Sequence, residues 1–231
     1  MSIPSNIALV NAFGKAGVDY FNCKEQLIKS HPSWNQDSDA RISVFSKCAN
    51  VFGSVNLGMN FIMLNLTSDE WWQSKSEQKI PDELIKHSIH EFDVFLKISF
   101  FHLFFSSIES SFRAIVQALD PQACNNGKSD FKNLYSWLLS RLKLSRWNNL
   151  LDLLRCIRNT IHNNGIYFPK SGKNEKISYK GIDYNFVVGS KIGFTWEQLL
   201  EFTSDVKDML REIIESPEVA SHASVGDPFA Q

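Results

Sequence analysis

The segment Leu150 to Gly165, LLDLLRCIRNTIHNNG, gathers two arginines, a histidine and three asparagines in helical spacing. At about 100° per residue, Leu150, Leu154, Ile157 and Ile161 fall on one stripe roughly 60° wide, and Leu153 extends it. Arg158 lies four residues before His162 and Arg155 seven before it. All three therefore share a partly buried strip roughly 80° to 140° from Leu150, and Asn159 and Asn163 continue the polar side. This combination suits phosphate recognition: the planar guanidinium fork matches phosphate oxygens, beside a side chain that titrates near neutrality. Two nearby arginines should lower the pKa of His162 and favour its neutral, base-competent form. A structural role is equally consistent with the residues, because Arg and His complement the negative end of a helix and an acid on a neighbouring helix could neutralise them.

Arg158-Asn159-Thr160-Ile161-His162-Asn163-Asn164-Gly165, followed by an apolar strand, resembles the signature helix of the HEPN superfamily, the all-α domains of RNases, toxins and defence proteins. The usual motif there is an Arg, four to six intervening residues and a His, often with a polar residue after the Arg. Arg155 has the spacing but is followed by Cys156; Arg158 has the expected Asn159 but only three residues before His162. Either arginine can be the counterpart. The preceding segment FFSSIESSFRAIVQAL, Phe104 to Leu119, resembles the family's earlier helix, with Glu109 at its acidic position and Arg113 one turn further. A buried Glu109 needs a partner, for which Arg155 or Arg158 is the natural choice.

The resemblance spans roughly residues 82–216 and implies a metal-independent endoribonuclease or a component of a toxin or defence system. In the family's chemistry the ribose 2′-hydroxyl attacks the adjacent phosphate and leaves a cyclic phosphate. His162 would move the proton, Arg158 or Arg155 would hold the phosphate, Glu109 would orient an arginine, and Asn159 would position backbone or substrate. The resemblance also implies a two-fold homodimer with the His162 of each chain near the interface, and an antitoxin or other protein partner fits the class. The alternative is a catalytically inactive RNA- or protein-binding module on the same fold, which the short Arg158 to His162 spacing favours.

Other constellations are weaker. His87 and His90, with Glu91, place two potential ligands one turn apart without a third, so neither a metal nor another cofactor is expected. No phosphate-loop or nucleophile-elbow pattern occurs. Lys170, Lys173, Lys176, Lys180 and Lys191 lie in or beside the segment after the Arg-His helix. Lys173, Lys176 and Lys180 are candidate RNA contacts, although lysines on a hairpin edge also block aggregation. Tyr179, Tyr184 and Phe186 could stack on bases or form core.

The elements that position these residues follow from periodicity. Apolar residues predict helices over 5–30, from Asp37 or Ser38 to Leu66, from Pro81 to Leu119, a short one capped by Ser129 or Asp130, and others over 147–163 and 196–214. Gly53 and Gly58 weaken the second helix, and Thr67 to Lys79, with Trp71-Trp72, reads as a connection. Between Ile166 and Phe194 the period becomes that of a small antiparallel hairpin or two. The expected fold is all-α, a helical bundle with a hairpin inserted between its last two helices. Residues 1–80 supply N-terminal helices packed on the bundle, 81–216 the HEPN-like core with its hairpin near 166–194, and 217–231 a flexible tail.

Composition bounds the rest. With 231 residues, 43% hydrophobic and 21% charged, the chain can bury a core and is neither collagen-like nor disordered. Seven phenylalanines lie between Phe92 and Phe112, but Val94 to Ile108 spans only about 22 Å against a hydrocarbon core of about 30 Å, and Lys97 and His102 interrupt it, so no membrane association is expected. No signal peptide is read at the N-terminus, and four scattered cysteines fit a reducing cytoplasm. The net charge of −1 hides an asymmetry: residues 128–180 carry eleven Lys or Arg against three acids, net +8, which suits an RNA partner.

Overall fold

The phenylalanine run decides where the other elements sit. In the computed structural model, which describes residues 7–227, this run lies on α4 (Asp82–Leu119), with Asp82 and Glu83 in the first turn where the helix dipole favours acids. Phe100, Phe101, Phe104, Phe105, Ile108 and Phe112 are buried. Phe13 of α1 (Ile7–Ser30), Phe52 of α2 (Ala40–Phe61) and Trp196 of α8 (Trp196–Ile214) close on them. Ring centroids are 5.4 Å apart for Phe13 and Phe100, 5.2 Å for Phe52 and Phe100, and 5.1 Å for Phe13 and Trp196. Five of the seven phenylalanines are therefore core, and no helix among the described residues is long and apolar enough to cross a membrane. The buried Asp93 carboxylate is satisfied there by Trp196 Nε1 at 2.8 Å and Lys97 Nζ at 2.7 Å.

The glycines of α2 have opposite meanings. A Cβ at Gly58 would lie 2.7 Å from a methyl of Leu96, so Gly58 lets α2 approach α4, whereas Gly53 faces open space. Gly53→Ala is expected to raise stability by about 0.5 to 1 kcal/mol through helix propensity. Gly58→Ala is expected to lower it by about 1 kcal/mol or more through overpacking. Urea melts that rank the two variants the other way would refute this.

The Thr67 to Lys79 stretch is more ordered than expected. α2 ends in a π turn, Ile62–Leu66, and Ser68 then caps the short α3 (Asp69–Gln73). Trp72 Nε1 donates to the Leu66 carbonyl at 2.7 Å, which fastens the connection. The buried apolar residues before and after it form one continuous cluster.

After α4 the backbone of α5 (Cys124–Gly127) makes a turn with positive φ throughout, 50° at Cys124 to 71° at Gly127. A Cβ at Gly127 would also crowd the Arg113 carbonyl at 3.3 Å. Asp130 then caps α6 (Phe131–Arg141), and α7 (Asn148–His162) carries the Arg-His motif. One antiparallel hairpin follows, β1 (Glu175–Tyr179) with β2 (Ile182–Phe186), in a register that pairs Ile177 with Tyr184. Its two-residue turn, Lys180-Gly181, has φ of 50° and 77°, the geometry that matches strand twist. The described residues are thus mostly helical with a single two-stranded hairpin between α7 and α8, as the sequence predicts.

The expected loose tail is overturned as far as Asp227. Pro217 opens α9 (Pro217–Ala220), and Val219 and Val225 are buried. Asp39, rather than Asp37 or Ser38, caps α2 and grips the Arg41 guanidinium at 2.6 Å. Arg41 Nη1 donates to the carbonyls of Val219 and His222, both at 2.9 Å, and Trp34 lies 3.6 Å from the guanidinium. Residues 228–231, and the expected helix start at Ser5, lie outside the described residues.

Candidate functional site

α7 ends in an αL stop, with Asn164 at φ 53° and Gly165 at φ 83°. Gly165 N–H reaches back to the Thr160 carbonyl at 3.0 Å, and the Gly165 carbonyl accepts from Ile192 N–H at 3.0 Å. The helix end is thereby tied to the chain that returns after the hairpin. Leu150, Leu153, Leu154 and Ile157 are buried, as the apolar stripe requires.

The neighbouring polar strip does not act as one unit. Arg155 turns towards the hairpin: its Nη2 donates to Glu175 and, at 3.3 Å, to Asp152, while Nη1 donates to Glu175 at 3.3 Å. Tyr167 donates to Glu175 Oε1, the oxygen that Nη1 also reaches, at 2.6 Å, and Tyr135 of α6 to Asp152 at 2.6 Å. Burial would raise the Glu175 carboxyl, but the hydrogen bonds from Arg155 and Tyr167 prevail and hold it below the usual carboxylate range. Arg155 is neutralised by two acids and fastens β1 to α7. The expected partnership of Glu109 with Arg155 or Arg158 is likewise overturned, because Glu109 pairs with Arg113, one turn along α4. Arg113 in turn donates to the Ser129 carbonyl at 3.0 Å and bonds the Gly127 carbonyl, holding the left-handed turn against α4.

Arg158 is different. No ion pair or hydrogen bond engages its side chain among the described residues. It opens into a cleft of about 730 Å³ between α4, α6, α7 and the loop before β1. Glu109, Arg155, Asn159 and Lys173 also line this cleft, so five of the residues expected at the site converge there, joined by Lys132 and Lys170. A second cleft, of about 450 Å³, lies across α7 and is walled by Ile98, Phe101, Ile157, Ile161 and Phe194, with Lys97 already paired to Asp93. Its chemistry is apolar.

His162 lies outside the cationic cleft, exposed, one turn from Arg158. Its imidazole meets that of His102 on α4, edge to face at 74° with centroids 5.4 Å apart. Partial burial, the Arg158 charge and His102 all push the His162 pKa below its ordinary value, against a smaller opposing pull from Glu109. The direction is the one the sequence predicts, but burial is the largest cause and, of the two arginines, only Arg158 contributes, with His102 adding to it.

The lysine trio is divided by the hairpin. Lys173 faces the cleft, Lys176 pairs with Asp183 across the strands at 2.7 Å, and Lys180 sits at the turn against Asp205 and Glu201 of α8. Tyr179 and Tyr184 pack against Phe202, and Phe186 is buried against Tyr167. His87 and Glu91 are exposed on α4, and no three His, Cys, Asp or Glu side chains converge on a common point among the described residues.

Sequence reasoning missed His102, Asp152 and Glu175 as parts of this region. His102 was accessible to it, since it precedes Glu109 by two turns on the same helical face. Glu175 had a weaker signal, being an acid on the inward side of a strand, in register with Ile177 and Tyr179, inside a lysine-rich segment. Comparison with known proteins finds no matching family model, no matching curated protein and no matching solved structure.

Proposed function

We propose that this chain is a HEPN-like, metal-independent endoribonuclease of the toxin or defence type, cleaving RNA by attack of a ribose 2′-hydroxyl on the adjacent phosphodiester. The observation that carries the reading is Arg158, unpaired at the wall of a cationic cleft and one turn from an imidazole biased towards its neutral form. Arg158 holds the phosphate and its developing charge, and His162 takes the 2′-hydroxyl proton. Arg155 is assigned to the hairpin anchor, which leaves Arg158 as the functional arginine. Asn159, Lys170 and Lys173 extend the polar wall along which the RNA backbone would run. The second reading, a catalytically inactive RNA- or protein-binding module, is favoured by the position of His162 outside the cleft.

Incubation of the purified protein with a mixed RNA pool in EDTA separates the two. Fragments ending in a cyclic phosphate support the nuclease, and intact RNA retained with a steep salt dependence supports the binding module.

The homodimer belongs to the same proposal. On the outer face of α4, Leu84 and Phe95 are 53% and 59% exposed, and Ile98 follows on the same stripe. An exposed apolar row of this kind is characteristic of an interaction surface. Light scattering is expected to give a dimer that Phe95→Glu converts to monomer; an antitoxin or other protein on the same row would instead leave the isolated chain monomeric.

A further inference from the structure

A 2′-hydroxyl attack needs a base for the entering oxygen and an acid for the leaving one, and a single imidazole cannot readily do both at once. We infer that His102 is a second catalytic residue, acting in the same chain as His162, and that the two imidazoles form the acid–base pair. This rests on the proposed ribonuclease reading and adds to it a residue that the motif does not contain.

The geometry is specific. His102 and His162 come from different helices, α4 and α7, yet their rings meet at 5.4 Å between centroids, and both are exposed. Nothing in helix packing requires two exposed imidazoles to meet; Ser, Lys or Glu would be as soluble. Neither ring is engaged in a hydrogen bond or ion pair among the described residues, so the ring nitrogens are open to a substrate. The charged groups around His162 are Arg158 on its own helix and His102 and Glu109 on α4, and Glu109 is already paired with Arg113.

Arg158, one turn from His162, disfavours a further positive charge on that ring, so within the pair His162 takes the part of the base and His102 that of the acid. The 2′-oxygen gives its proton to His162 and forms a bond to phosphorus. The bond from phosphorus to the 5′-oxygen breaks, and His102 delivers its proton to that oxygen. The products are a 2′,3′-cyclic phosphate and a 5′-hydroxyl, with the proton exchanged between the two rings. No metal or co-reactant enters the balance.

The test combines titration with complementation. In an NMR titration of the purified full chain, His102→Gln is expected to raise the His162 pKa; no shift would overturn the pairing, whether or not RNA is cut. In the cleavage assay, His102→Ala is expected to lose at least a hundredfold in kcat with little change in KM, and to lose the alkaline limb of the pH profile. Mixing His102→Ala with His162→Ala protein is expected to restore nothing, since each chain lacks half of its own pair. Restored activity would place the second group in a partner chain and overturn the inference. An inactive wild type would refute the ribonuclease reading and with it the catalytic role of His102.

Discussion

His162→Ala is expected to reduce RNA cleavage by about two to four orders of magnitude in kcat, the usual contribution of a positioned general base, while leaving the fold intact. The ring is exposed at the end of α7 and anchors nothing in the core, so circular dichroism and Tm should match the wild type. On the proposed ribonuclease reading, Arg158→Ala is expected to lose about a hundredfold or more, with KM rising as well, because the guanidinium would meet the phosphate before and during the reaction. The pH dependence has a definite sign. Burial, Arg158 and His102 lower the His162 pKa, so an acid limb of kcat/KM set by this ring is expected below the ordinary histidine value of about 6.5. Arg158→Gln removes a positive charge and is expected to move that limb to higher pH. Folded His162 also binds its proton less readily than in the unfolded chain, so its contribution destabilises the fold as pH drops through about 6.5. A His162→Ala protein that cuts as fast as wild type, or an acid limb unmoved by Arg158→Gln, would refute the assignment.

Arg41→Ala is expected to be the most damaging single substitution for stability. The Arg41 side chain is 0% exposed and its Asp39 partner 1%, so truncation strands a buried carboxylate and releases the Val219 and His222 carbonyls. Breaking such a pair costs about 3 to 5 kcal/mol. For a chain of 231 residues this corresponds to a fall in Tm on the order of 10 °C. Residues 217–227 should then become the first site of proteolysis, ahead of the hairpin. Arg41→Lys should recover only part of the loss, because an ammonium cannot reproduce the forked contacts to Asp39 and two carbonyls. A Tm within 2 °C of wild type for Arg41→Ala would show that the tail is held without Arg41, by the burial of Val219 and Val225 and the contacts of Asp227 with Ser43 and Lys47.

What the sequence determined by itself is the local part of this protein. The 3.6-residue rhythm of α7 fixes its buried face, Asn164-Gly165 fixes its end, and Lys180-Gly181 fixes the hairpin turn, because each is decided by propensity and backbone sterics within a few residues. The seven-phenylalanine helix was legible for the same reason, and its 38 residues match the run from Asp82 to Leu119. The region of the candidate site was also legible, because Arg158, Asn159 and His162 follow each other within a turn and a half of one helix.

Partner choice was decided only by the tertiary structure. Whether Arg155 or Arg158 stays free depends on where Glu175 arrives, and that is set by the hairpin folding back over α7, twenty residues beyond Arg155. Glu109 could have reached across to α7, yet Arg113 lies one turn away on its own helix and is held in place by the carbonyls of Gly127 and Ser129. The polar segment after Pro217 looks free in sequence, and becomes ordered because Arg41, buried 178 residues earlier than Val219, needs backbone oxygens to satisfy it. His102 and His162 meet for the same kind of reason: α4 and α7 cross beside a shared core, and periodicity within either helix cannot say which exposed residue of one will face which residue of the other.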